Sequence, residues 1–296
     1  NRDRPPSYCS GSPDFPQFRV STSHSRLCNK RSPISRSRLS ASGIWSDRIF
    51  VLDRPEAEWR IAGKLPRPLG YGASITIPAG LICIGGSDSE RHYSDVFLIG
   101  RKGGELSIET LPSLPKPCAN FCAALLGQTI FVAGGIERPD SRAALKTFWS
   151  LDLRHLETGW QELEPWPGPG RMFAVAAAHK GSFYLLSGAG LKPDKDNQFV
   201  RDWLKDAYRY TPSAGWKELP ELPWPTVAAP SPSPIFDGKV LVLGGDDGSQ
   251  VNSPPTEHRG FSRNLLAFDP EANRWEPRED LPFAMVTTIV VTWGGR

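Results

Sequence analysis

The residues whose types and placing suit chemistry lie in short polar stretches. Asp88-Ser89-Glu90-Arg91-His92 follows one glycine pair and Asp246-Asp247 follows another. Arg171 comes after Gly168-Pro169-Gly170, and Arg263 after Phe261-Ser262. An arginine fork holds a carboxylate through parallel hydrogen bonds. A histidine titrates close to neutral pH and passes protons. Arg91, His92, Arg171, Asp246, Asp247 and Arg263 therefore form the candidate pocket for a small anionic ligand. Each also has a plainer reading: Asp246 suits a turn whose side chain bonds local amides, and His92 suits an exposed loop. No residue is assigned a catalytic role. The cysteine and histidine spacings match no zinc pattern. A copper centre built from two His and two Tyr has no convincing placement among five His and six Tyr. Neither a metal nor another cofactor is expected.

These stretches need a scaffold, and its nature follows from repetition. With 29 Pro and 28 Gly in 296 residues, long helices are implausible. A bulky residue followed six positions later by Leu-Pro or Trp-Pro occurs at Trp59, Ile108, Trp160, Trp216 and Trp275, and the prolines are 49, 52, 56 and 59 residues apart. Between these marks run apolar segments ending in small residues: Leu81 to Gly86, Ile130 to Gly135, Phe183 to Gly188 and Val240 to Gly245. An aromatic-bearing segment follows each, as in Phe148-Trp149-Ser150-Leu151-Asp152. Four strands per unit of roughly 50 residues, with a glycine pair after the second and an aromatic in the fourth, resemble the kelch repeat.

The fold class expected is all-β, a kelch-type β-propeller over residues 44–296. Complete blades are placed at about 70–111, 118–164, 171–220 and 226–280. Before them, Arg48 to Asp53 and Trp59 supply a third and a fourth strand only; after them, Val286 to Val291 supplies only a first. The first and last blades are thus expected to be incomplete. Loops from second to third strand, and from fourth strand to the next blade, converge on one face, which is the candidate site.

Charge and cysteines set further expectations. Residues 1–43 hold eight Lys or Arg, two Asp and eleven Ser, while the remaining chain carries a net charge of −3. The segment 1–43 is expected to be a disordered, basic Ser/Arg/Pro-rich tail. No nucleic-acid role is expected for the folded body, and no apolar run reaches the length of a membrane span. Cys83, Cys118 and Cys122 are expected to be reduced core residues, consistent with a cytoplasmic setting.

Leu69-Gly70-Tyr71-Gly72-Ala73-Ser74, leading to Ile82-Cys83-Ile84-Gly85-Gly86 and Ser94-Asp95-Val96-Phe97-Leu98-Ile99, resembles the last blade of the N-acetylneuraminate epimerase family, here placed early. With Gly168-Pro169-Gly170-Arg171-Met172, Asp206 to Pro212 and Gly244-Gly245-Asp246-Asp247-Gly248, the chain is most similar to the cyclically permuted branch of that six-bladed family. The resemblance implies sialic acid as the anionic partner, interconversion of its anomers by acid/base ring opening, and arginines on the sugar carboxylate. It also implies a Glu base directly after a small-Gly pair. Here those positions hold Ser87, Ile136, Ala189 and Asp246. By permuted order the Glu is expected just beyond Arg296, so a chain ending there is expected to be slow or inactive. The competing expectation is a kelch scaffold that binds a protein or glycan without chemistry.

Overall fold

A computed structural model describes residues 17–20, 45–52, 57–254 and 256–288. β1 (Gln17–Val20), β2 (Arg48–Leu52) and β3 (Arg60–Lys64) form an antiparallel sheet in that order. The first complete blade is β4 (Ala73–Ile77), β5 (Gly80–Ser87), β6 (His92–Lys102) and β7 (Glu105–Leu111). The second is β8 (Cys122–Leu126), β9 (Thr129–Ala133), β10 (Phe148–Asp152) and β11 (Gln161–Glu162).

The third blade contains β12 (Val175–His179) and β13 (Ser182–Leu186), then a projecting hairpin, β14 (Ala189–Pro193) and β15 (Phe199–Trp203). It closes with β16 (Ala207–Thr211) and β17 (Gly215–Leu219), and its sheet order is β12-β13-β16-β17. The fourth is β18 (Ile235–Phe236), β19 (Lys239–Leu243), β20 (Leu265–Asp269) and β21 (Arg274–Pro277). Four four-stranded antiparallel meanders in sequence are the kelch-type propeller expected from the repeats. No helix among the described residues is long and apolar enough to cross a membrane.

At the ends the described residues bear on two expectations. Gln17–Val20 lies inside the segment read as a tail without strands, yet it pairs with β2 in the register Val20 to Ile49. A four-residue strand is too short to show a periodicity, and β2 offers it an otherwise open edge. At the other end, residues 286–288 of the expected first strand are not in a strand, and the rest of it lies outside the described residues. Cys9, Cys28 and the remaining tail residues also lie outside them.

The core is a stack of layers, each shared by neighbouring blades. Ile82, Ile84 and Val96 meet Ile130, Val132 and Trp149. Phe131, Ala133 and Phe148 meet Phe183, Leu185 and Tyr208. Tyr184 and Leu186 meet Val240, Val242 and Phe268. Ile49 and Val51 meet Leu81, Cys83 and Phe97. Successive residues of a strand point to opposite faces, and both faces are covered, so β9 reads as an unbroken apolar run with Ile130 and Val132 facing one neighbour and Phe131 the other.

The glycine pairs end the second strands because backbone crowds them. Gly134 (φ 72°) and Gly135 (φ 99°) adopt left-handed conformations; a Cβ on Gly134 would lie 2.3 Å from the Arg171 carbonyl oxygen, and one on Gly135 2.6 Å from Cys118 Sγ. In the third blade Ser187 (φ 52°) takes the first position. Its hydroxyl donates to the Leu204 carbonyl at 2.8 Å and accepts the Thr226 N–H at 2.8 Å.

Candidate functional site

The first strands β4, β8 and β12 touch one another in turn, so they are the strands nearest the axis on which the blades converge. One backbone motif recurs at their entrances. Gly70 bridges Ser87, Ala119 bridges Ile136, Met172 bridges Ala189 and Val227 bridges Asp246. Each bridge joins the residue before a left-handed turn to the residue directly after a glycine pair. The turn residues are Tyr71, Asn120, Phe173 and Ala228, with φ between 55° and 61°. A chain of hydrogen bonds links them from blade to blade: Asn120 N–H to Tyr71 O, Phe173 N–H to Asn120 O, Ala228 N–H to Phe173 O and Thr287 N–H to Ala228 O, at 2.7 to 2.8 Å. The four post-glycine positions are therefore structurally equivalent, and Asp246 is the carboxylate among them.

Side chains at this axial ring form a mixed surface. The Trp45 and Tyr71 rings meet edge-on at 5.9 Å, and Tyr71 meets Phe173 edge-on at 6.5 Å. The Arg201 guanidinium, carried by β15, lies 5.2 Å from the Phe173 ring centroid. Its Nη1 stands 4.0 Å from Asp246 Oδ2. Asp246 Oδ1 accepts the Gly248 N–H at 2.9 Å, which orients the carboxylate. Burial raises the Tyr71 pKa, with Arg201 opposing it, so the phenol keeps its proton at neutral pH. Asn120 Oδ1 is enclosed without a hydrogen-bond partner among the described residues.

The six candidates from the sequence do not come together. Asp246 reaches the axial ring. Arg91 and His92 line a separate cleft of about 720 Å³ between the first two blades, with Arg67, Tyr93, Glu137 and Asp140. Arg67 and Arg91 lie 4.5 and 5.1 Å from the Tyr93 ring centroid. Arg67 pairs with Asp95 at 3.1 Å, and Tyr93 donates to Asp88, so the cations here are largely answered by acids. His92 is buried, not exposed, with Nδ1 3.0 Å from the Ile136 carbonyl oxygen. Burial holds its pKa below the ordinary value.

Arg171 lies in the interior of the third blade. Its side chain is wholly enclosed, donates to Ser187 O at 2.8 Å and pairs with Asp206, and it packs against the Trp166 and Tyr208 rings. In this conformation the guanidinium has no exposed surface and its contacts lie within the blade interior. Asp247 accepts the Ser249 N–H at 2.9 Å, and Arg263 donates to Leu281 O at 2.7 Å.

Sequence reading missed Tyr71, Phe173 and Arg201 as site residues. Tyr71, Asn120 and Phe173 each precede the second residue of their glycine pair by fifteen positions, a constant offset that marks the axial ring. Arg201 carried no such signal, because the segment around Lys192 and Asp194 reads as a loop and forms a hairpin instead.

The radial meanders and the blade-junction ring define a kelch-type β-propeller with a mixed cationic, acidic and aromatic surface at its axis. Residues 111–253 match the N-acetylneuraminate epimerase family, and the chain resembles that family. N-acetylneuraminate epimerase of Haemophilus influenzae (strain 86-028NP) is 29% identical over 201 residues, covering 60% of this chain and 50% of that protein. The Brucella suis protein of the same name is 27% identical over 187 residues, covering 58% of this chain and 46% of its own length. The chain thus spans about half the length of the curated relatives it matches. A solved structure titled "Structure of YjhT" superposes with a TM-score of 0.62 at 16% identity, covering 84% of this chain and 82% of that one, which shows the fold.

Proposed function

We propose that the chain acts as a sialic acid mutarotase, interconverting the anomers of N-acetylneuraminate by acid/base ring opening at the axial ring. The observation that carries this reading is the placing of Arg201 over Phe173 and 4.0 Å from Asp246, in a chain whose residues 111–253 match the epimerase family. Arg201 receives the sugar carboxylate, and the aromatic rings receive its apolar faces. Asp246, at the post-glycine position where the resemblance implies a Glu in another blade, takes the proton of the C2 hydroxyl. The bond from C2 to the ring oxygen breaks as that oxygen is protonated, with the Tyr71 phenol as donor, and leaves an open-chain ketone. Rotation about the bond from C2 to C3 and the reverse proton transfers close the ring on the other face. No net oxidation occurs, and protons return to the groups that lent them.

The test is anomer exchange of pure α-N-acetylneuraminate followed by NMR. With Asp246 as the base the chain is expected to accelerate exchange; slow or absent exchange by this chain returns the base to the Glu that the resemblance implies. Arg201→Ala is expected to raise KM, and Asp246→Asn to lower kcat by about 10² to 10⁴. Binding without acceleration by a chain that includes that Glu replaces the enzyme with a glycan-binding scaffold, and absence of both overturns the reading.

A further inference from the structure

We infer that the β14–β15 hairpin is a clasp that delivers the anion-binding guanidinium to the axial ring, and that Trp203, seated on Gly248, is the residue that positions it. The inference rests on the reading of Arg201 as carboxylate receptor. Phe199, Arg201 and Trp203 alternate along β15, so they project from one face of the hairpin. Each meets a different part of the propeller. The Arg142 guanidinium, from the second blade's long loop, lies 5.7 Å from the Phe199 ring centroid. Arg201 lies over Phe173 of the third blade and beside Asp246 of the fourth.

Trp203 covers Gly248, whose backbone is left-handed (φ 76°) and whose added Cβ would fall 2.8 Å from the indole. Only glycine allows that approach. Gly248 also gives its N–H to Asp246 Oδ1. The indole therefore docks the arm on the same turn that orients the carboxylate, and the cation and the acid are positioned relative to one peptide unit. Trp203 Nε1 is enclosed without a partner among the described residues. An unpaired buried donor costs free energy, so the packing of the ring is what this position uses. On the opposite face Lys192 and Asp202 pair across the two strands at 2.6 Å, which stiffens the hairpin.

Trp203→Leu and Gly248→Ala, each in the whole chain, test the clasp with two readouts. The first needs no sugar: nuclear Overhauser contacts between Arg201 and the Phe173 ring are expected in the unmodified chain and lost in both variants. The second uses N-acetylneuraminate and its methyl ester. Trp203→Leu is expected to raise KM for the free acid about tenfold with kcat within about twofold, and to lose about tenfold of the preference for acid over ester; Gly248→Ala, whose turn also orients Asp246, is expected to lower kcat as well. Contacts that persist in both variants overturn the clasp whether or not the sugar binds. A fall in kcat at constant KM in Trp203→Leu overturns the positioning role. Contacts present in the unmodified chain and lost in the variants, with no sugar bound by any of them, support the clasp and overturn the mutarotase reading. Thermal unfolding of each variant accompanies both readouts; if one variant fails to fold, the other decides.

Discussion

Trp216 Nε1 donates to the Glu164 carbonyl oxygen at 2.8 Å, from the fourth strand of the third blade to the residue just past the fourth strand of the second. The same link recurs from Trp160 to Pro112 and from Trp275 to Pro220, also at 2.8 Å. Trp160, Trp216 and Trp275 are thus ties between blades, each fastening an outer strand to its predecessor. The ring of Trp216 also packs on Phe148 at 4.8 Å and Tyr210 at 5.2 Å.

Replacing Trp216 by Phe keeps an aromatic ring in that cluster and removes the donor. The expected loss is about 1 kcal/mol, the net worth of a hydrogen bond of this kind. It is read as a lower urea midpoint at unchanged slope. An unchanged midpoint means that the indole bond adds nothing to the joint between blades.

Arg171 and Asp206 form a buried pair whose removal strands a charge. Asp206→Asn or Arg171→Leu is expected to cost about 3 to 5 kcal/mol. Asp206 also accepts the Tyr208 hydroxyl at 2.7 Å, and with burial this pushes the Tyr208 pKa up. Sugar affinity of any variant that folds is expected to stay the same. A fold left intact with affinity lost returns Arg171 to the pocket.

His92 confers a pH dependence. Burial lowers its pKa from the ordinary 6.5, and its Nδ1 faces the Ile136 carbonyl oxygen. As the pH falls, the unfolded chain takes up the proton first. The stabilisation is complete above 6.5 and is lost progressively as the pH drops through the folded value. His92→Gln is expected to flatten the unfolding midpoint between pH 7.5 and 5; an equally steep fall in the variant assigns the dependence to other groups.

Cys83, Cys118 and Cys122 are free, and burial pushes each thiol up to about 12. All three are expected to resist alkylation at pH 8 in the native chain and to react within minutes in denaturant. Peptide mapping by mass spectrometry distinguishes them, and rapid native labelling of Cys122 would show that the layer between the second and third blades opens.

The sequence alone determined the blades, because each unit must present two apolar faces to its neighbours, end its second strand on residues that tolerate left-handed backbone, and supply an outer aromatic. Those needs are local and recur at every unit, so they are written as spaced glycines, Leu-Pro marks and tryptophans. Tertiary structure decided the site. Arg171 and Arg201 are the same residue type, yet one is folded into a blade against Asp206 and the other is carried over the axis beside Asp246. Neither partner is encoded near its arginine. The choice follows from which blades adjoin, how the hairpin β14–β15 folds back, and where Gly248 leaves room for Trp203. Likewise β1 finds β2 across a long stretch of chain, because an open strand edge is satisfied by whatever segment reaches it.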